Sequence, residues 1–123
     1  MDKDPLTEKV IGCAIEVHRT LGPGLLENVY QQALAYELSQ AGLSFELEVP
    51  LSVAYKKAHL DCGYRLDMIV AGSLLLELKS VDELVGIHTA QLLTYLKLSG
   101  IKTGLLINFN VERLVDGIKR VSN

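Results

Sequence analysis

At 123 residues, 49% of them hydrophobic and 22% charged, the chain reads as one globular domain over 1–123, with a core to bury and no room for a second. A net charge of −3 and a pI near 5.6 count against a general-purpose binder of duplex nucleic acid, which is usually basic, yet leave room for an enzyme with a small cationic rim and its own divalent ions. No apolar run approaches the roughly 18 residues that cross a bilayer and Met1-Asp2-Lys3-Asp4-Pro5 is no signal peptide, so a cytoplasmic protein with no membrane contact is expected.

Asp4-Pro5 opens the first element as an N-cap followed by proline in the first turn. Leu6, Val10, Ile11, Ala14, Ile15 and Leu21 then recur at helical spacing, until Leu21-Gly22-Pro23-Gly24 breaks the helix. A second helix is predicted from Leu25 to Ala41, with Leu26, Val29, Tyr30, Ala33, Leu34 and Leu38 as its apolar stripe and Gly42 closing it. Phe45, Leu47, Val49, Leu51, Val53 and Tyr55 next alternate as a strand, in which Pro50 suggests an edge or a bulge. Lys56-Lys57 marks a turn, and strands are predicted over His59–Val70 and Leu74–Ser80.

Helical spacing returns near Ile87–Ser99, with Ala90, Leu92, Leu93 and Leu96 inward and Gly100 at the end. Thr103 to Phe109 reads as a buried strand, followed from Val111 by a short helix or amphipathic tail. Cys13 and Cys62 sit among apolar residues without Cys/His spacing, which points to buried free thiols and away from zinc. The order α-α-β-β-β-α-β-α gives an α/β fold, a mixed sheet covered by helices.

The chemistry concentrates between Tyr64 and Lys79. Glu77 and Lys79 stand on the leucine run Leu74 to Leu78, where ionised side chains are costly unless paired or metal-bound. A strand repeats every two residues, so Glu77 and Lys79 share one face. If the loop after Val70 is Ala71 to Ser73, Val70 faces Leu74 and Asp67 lies opposite Glu77, with Cβ atoms about 5 Å apart. A two-residue loop would put the carboxylates on opposite faces. Turn chemistry favours the shorter loop; the cost of burying charge favours the longer one, which we adopt. Facing carboxylates could hold Mg²⁺ with waters retained, and Lys79 could orient a water or stabilise charge on a phosphate. A solvated face with ordinary ion pairs is the competing reading.

Two further clusters accompany the pair. Glu27 and Tyr30 are three apart on one helical face behind Gly24, where a first-turn carboxylate would also offset the helix dipole. His88, Gln91 and Tyr95 share a face of the third helix, as a contact for a phosphate or as the rim of a core helix. His18 reads as a surface or rim residue, with lining the cleft as the alternative.

Together these residues resemble the GxxExxY proteins, a branch of the PD-(D/E)xK nuclease superfamily. The naming motif stands as Gly24-x-x-Glu27-x-x-Tyr30, after Glu16-Val17-His18 and Leu21-Gly22-Pro23-Gly24. Tyr64-Arg65-Leu66-Asp67, Glu77-Leu78-Lys79-Ser80-Val81, Ala90-Gln91-Leu92-Leu93-x-Tyr95-Leu96 and Gly104-Leu105-Leu106-Ile107-Asn108-Phe109 follow in order, so the resemblance runs from Leu6 to Val121. It implies an α-β-β-β-α-β core with an extra N-terminal helix and a short C-terminal helix. It also implies a metal-dependent nuclease acting on nucleic acid, DNA being the expected substrate. Asp67 and Glu77, with Glu27 as an additional carboxylate, would be ligands of Mg²⁺ or Mn²⁺. Lys79 would be the catalytic lysine, Glu27 would serve the chemistry from its helix, and Gln91 and Tyr95 would match a Gln-x-x-x-Tyr motif that positions the strand. Leu66 replaces the proline of the superfamily motif without removing a ligand. No organic cofactor is implied. The alternative is a non-catalytic module of the same fold that binds nucleic acid or a protein partner, and the small size makes a homodimer or a partner a natural way to complete a groove.

Overall fold

The computed structural model describes residues 4–123; Met1 to Lys3, which begin the stretch read as no signal peptide, lie outside the described residues. Helix α1 spans Pro5–Leu21 and α2 spans Glu27–Gln40. Strands β1 (Phe45–Tyr55), β2 (Ala58–Val70) and β3 (Leu74–Lys79) follow, then α3 (Gly86–Ser99), β4 (Thr103–Asn108), a 3₁₀ turn at Leu114–Gly117 and β5 (Ile118–Ser122). The sheet runs β1-β2-β3-β4-β5, antiparallel except for the parallel pair β3–β4 that α3 connects. No helix among the described residues is long and apolar enough to cross a membrane.

Local chemistry fixes the ends of the elements. Asp4 Oδ1 accepts from the Leu6 N–H at 3.1 Å and Oδ2 accepts from the Thr7 hydroxyl at 2.9 Å, so the aspartate supplies the acceptor that the first helical turn lacks. α1 stops at Gly22, whose φ of 75° carries the chain out of the helix. The Tyr30 hydroxyl then donates to the Gly22 carbonyl at 2.7 Å and accepts from the Leu25 N–H at 3.0 Å. Its ring is fully buried and stacks on Phe109 with centroids 4.4 Å apart. Tyr30 thus anchors the α1–α2 connection to the core and sets where α2 begins.

The leucine run of β3 is divided between two cores. Leu74, Leu76 and Leu78 pack with Val10, Ala14, Tyr30 and Leu34 of α1 and α2, and with Leu105 and Ile107. Leu75 packs on the other face with Leu92 and Leu96 of α3, Leu106 and Val121. A central strand buried on both faces is apolar at both parities, which makes the polar Glu77 conspicuous.

Along β1 and β2 the alternation changes phase once. Phe45, Met68 and Val70 pack on the α1/α2 side, whereas Val49, Leu51 and Leu66 pack on the α3 side. Residues of one parity therefore lie on opposite faces before and after the Glu48–Asp67 position. The register is the same on both sides of it, Leu47 opposite Met68 and Val49 opposite Leu66, so both strands rotate together and neither gains a residue. Glu48 carries the rotation at a φ of 50°, a left-handed conformation that side chains other than glycine seldom adopt.

Several sequence expectations shift at the surface. Leu26 is 78% exposed, because α2 starts one residue after it, and Val29 is also exposed; Tyr30, Leu34 and Leu38 carry the buried stripe. Ala90 faces outward, and Leu92 and Leu96 hold α3 on the sheet. Cys62 is exposed on the β1–β2 arm and Cys13 is only partly buried. His18 is buried, with its Nε2 2.7 Å from the Val111 carbonyl, because the segment after β4 folds back over α1. The short helix expected there is one 3₁₀ turn, Leu114–Gly117, and it leads into β5, which pairs with β4 at the sheet edge.

Candidate functional site

Val70 pairs with Leu74 and Met68 with Leu76, so the β2–β3 loop is Ala71 to Ser73 and the next facing pair is Asp67 and Glu77. Ala71 and Gly72, at φ of 53° and 67°, make the reversal. At Asp67 and Glu77 the backbone ladder opens and side chains replace it. The Asp67 N–H donates to Glu77 Oε2 at 3.0 Å, and the Leu78 N–H donates to Asp67 Oδ2 at 2.8 Å. Each carboxylate thereby satisfies an amide that the parted strands leave unpaired, and each keeps its second oxygen for an outside partner.

Burial makes this pair electrostatically tense. Glu77 is 7% exposed; desolvation, followed by the charge of Asp67, pushes its carboxyl up to about 7. Asp67 is raised as well, chiefly by desolvation, with Glu48 and Glu27 adding to the rise and the Leu78 amide and Lys79 opposing it. Lys79 ends β3 on the face of Glu77, partly buried, and its charge lowers both carboxyls. Two close carboxylates with one cation beside them are short of positive charge.

Asp67 also lines a hollow of about 250 Å³ with Leu78, Glu27, Asn28, Gln31 and Glu48. Glu27 opens α2 at its rim, held there by the Tyr30 anchor and by the Ser80 hydroxyl, which donates to the Leu25 carbonyl at 2.6 Å. Gln31 Nε2 donates to the Asp67 carbonyl at 3.0 Å and to Glu48 Oε2 at 3.2 Å, tying α2 to both strands at the phase change. Glu48 and Gln31 escaped the sequence reading. Gln31 carried a signal, being four residues after Glu27 and so on the same helical face. Glu48 carried none until its register opposite Asp67 was known.

Beyond Lys79 the chain is held by Asn108, which is almost fully buried. Its Oδ1 accepts from the Val81 N–H at 3.0 Å and its Nδ2 donates to the Val81 carbonyl at 2.9 Å. This two-way clasp fixes how the chain leaves β3 and therefore where Lys79 ends.

Gln91 and Tyr95 face a second hollow, of about 320 Å³, with Tyr64 and Thr94 over Leu51, Val53 and Leu98. Tyr95 lies near enough for the charges of Glu77 and Asp67 to raise its hydroxyl pKa, after desolvation as the largest cause. Gln91 is exposed and belongs to this hollow rather than to the acidic one. His88 is turned away from both: its Nδ1 accepts from the Val85 N–H at 3.1 Å and caps the start of α3.

The oxygen donors suit a hard divalent cation in kind, since Mg²⁺ takes one or two carboxylates and keeps water in its remaining positions. Among the described residues no three His, Cys, Asp or Glu side chains stand close enough to hold a metal ion. Asp67 and Glu77 are the two carboxylates that face each other, and Glu27 does not complete a cluster of three with them.

A family model described as the PD-(D/E)XK nuclease superfamily matches residues 4–121. No curated protein and no solved structure matches the chain.

Proposed function

The chain belongs to the PD-(D/E)XK nuclease superfamily, and from that premise we propose that it is a divalent-metal-dependent nuclease that hydrolyses phosphodiester bonds, with DNA as the expected substrate. The observation that carries the proposal is the facing pair Asp67 and Glu77, buried, short of positive charge and keeping one oxygen each for an outside partner.

In this reading Asp67 and Glu77 would hold Mg²⁺ or Mn²⁺, and Glu27, across the acidic hollow, would be the additional carboxylate of the site. Such a cation would supply Lewis acidity toward a phosphate and lower the pKa of a bound water. Lys79, on the Glu77 face at the end of β3, orients the attacking water and offsets charge that builds on the phosphate. Tyr95 and Gln91 contact the strand from α3. Gln31 keeps Asp67 aimed by holding its carbonyl, and the buried Asn108 keeps the end of β3 in place.

Calorimetric titration of Mg²⁺ and Mn²⁺ into the metal-free protein, repeated on Asp67→Ala and Glu77→Ala, is the direct test. Binding to the parent that is lost in both variants, together with cleavage of a DNA strand by the parent alone, supports the reading. Nucleic-acid binding without metal uptake or cleavage would replace it with a non-catalytic module.

A further inference from the structure

Two hollows flank the acid pair, and their chemistry differs. The one beside Glu27 and Glu48 is acidic and suits a cation, whereas the one between β2 and α3 is apolar and aromatic. Tyr64 and Tyr95 line it with ring centroids 6.2 Å apart and planes tilted by 58°. Leu51, Val53 and Leu98 supply the rest of its apolar lining, and Gln91 and Thr94 its polar side chains. Thr94 donates its hydroxyl proton to the Ala90 carbonyl at 3.0 Å, which leaves the hydroxyl oxygen able to accept.

We propose that this hollow receives an unpaired nucleobase of the strand whose phosphate reaches Asp67 and Glu77, so that the substrate is single-stranded or locally opened at the site. The proposal rests on the nuclease reading above and names its substrate class. Three features argue for this occupant. The volume is that of a small-molecule pocket, and its lining includes two tyrosine rings, side chains on which bases stack without regard to sequence. Tyr64 stands three residues before Asp67 on the same strand, roughly 10 Å away at strand rise, so a base in the hollow and a phosphate at the carboxylates lie within a few nucleotides of each other. The net charge of −3 also denies the protein a broad cationic track, which leaves stacking to supply the grip. Gln91 offers both donors and an acceptor to a base edge.

The test is fluorescence anisotropy with a short labelled DNA single strand, the matched duplex and a strand made abasic at successive positions, with Ca²⁺ in place of Mg²⁺. Tyr64→Ala should weaken single-strand binding roughly ten-fold or more, and Tyr64→Phe should keep most of the affinity because the π-face remains. An abasic gap at one position should weaken the parent and leave Tyr64→Ala unaffected further. Mn²⁺ calorimetry of Tyr64→Ala should match the parent, since Tyr64 holds no metal, and Tyr64→Phe, which keeps the ring contact with Tyr95, should melt as the parent does. Equal affinity for abasic and intact strands, or a preference for duplex that ignores Tyr64, overturns the inference. If metal binds and DNA is cut while the abasic strand binds as well as the intact one, the hollow is misassigned and the nuclease reading stands. A base-dependent grip with neither metal uptake nor cleavage keeps the hollow and removes the nuclease.

Discussion

The Asp67 amide donates to the Glu77 carboxylate at 3.0 Å, so the two halves of the acid pair are joined by a bond that needs an oxygen on residue 77 but no charge. An amide side chain can accept there as well as a carboxylate can. Geometry and charge at this position are therefore separable by mutation, which makes it possible to ask what each contributes.

Glu77→Gln should raise the stability of the metal-free protein at pH 8 while abolishing metal uptake. The acceptor for the Asp67 N–H is kept and one of two close buried charges is removed, a gain of about 1–2 kcal/mol. A urea titration in EDTA reads the first effect and calorimetry the second. A variant no more stable than the parent would mean that the carboxylates do not strain the fold.

The pH dependence of stability should carry the same signature. The Glu77 carboxyl has an ordinary value of 4.5 and is pushed up to about 7 in the folded protein. Between these values the folded chain binds the proton more tightly than the unfolded one, so the contribution of Glu77 to metal-free stability is greatest below 4.5 and is lost as pH rises through 7. The loss is on the order of 2–3 kcal/mol. Mg²⁺ should restore stability above pH 7, where the carboxylate is ionised. Thermal melts across this range, with and without Mg²⁺, check both statements, and a flat profile without metal would contradict them.

Lys79→Ala should cut the single-turnover cleavage rate by about 10²–10³-fold, the scale of losing one charge-stabilising donor. Metal affinity should be retained, because the substitution takes a cation away from the carboxylates. A variant that cleaves at the parent rate would remove Lys79 from the chemistry.

Tyr30→Phe should lower stability by about 1–2 kcal/mol without disturbing the stack on Phe109. The hydroxyl joins the Gly22 carbonyl to the Leu25 amide, and its loss frees the connection that sets the start of α2. Denaturant midpoints measure the stability change. Cleavage at limiting Mg²⁺ should fall more than at saturating Mg²⁺ if the position of Glu27 matters.

Much of this site was legible before the structure. The facing of Asp67 and Glu77 followed from parity and from the cost of burying charge, and the Ala71 to Ser73 loop agrees with it. The helices were legible where caps and apolar spacing agreed, as at Asp4 and Gly100. Glu48 was not, because Glu46 and Glu48 read as the outward residues of an ordinary edge strand, and no local signal marks a left-handed glutamate. His18 was misplaced because its partner is a backbone carbonyl 93 residues away. β5 was missed because Lys119 and Arg120 dominate a five-residue strand whose apolar residues, Ile118 and Val121, turn to opposite faces.

The phase change at Glu48 and Asp67 also partitions the molecule in time. The outer halves of β1 and β2 share their apolar contacts with α3, and the inner halves share theirs with α1 and α2 through Phe45, Met68 and Val70, with Ile69 packing on the α3 side. Cooperative opening follows shared contacts. In native-state hydrogen exchange, the outer arm and α3 should therefore open as one unit at lower denaturant than α1, α2, β3 and β4. The acid pair lies on the seam, where such an opening would uncover Glu77 from the α3 side while Asp67 stays anchored through Gln31 to α2.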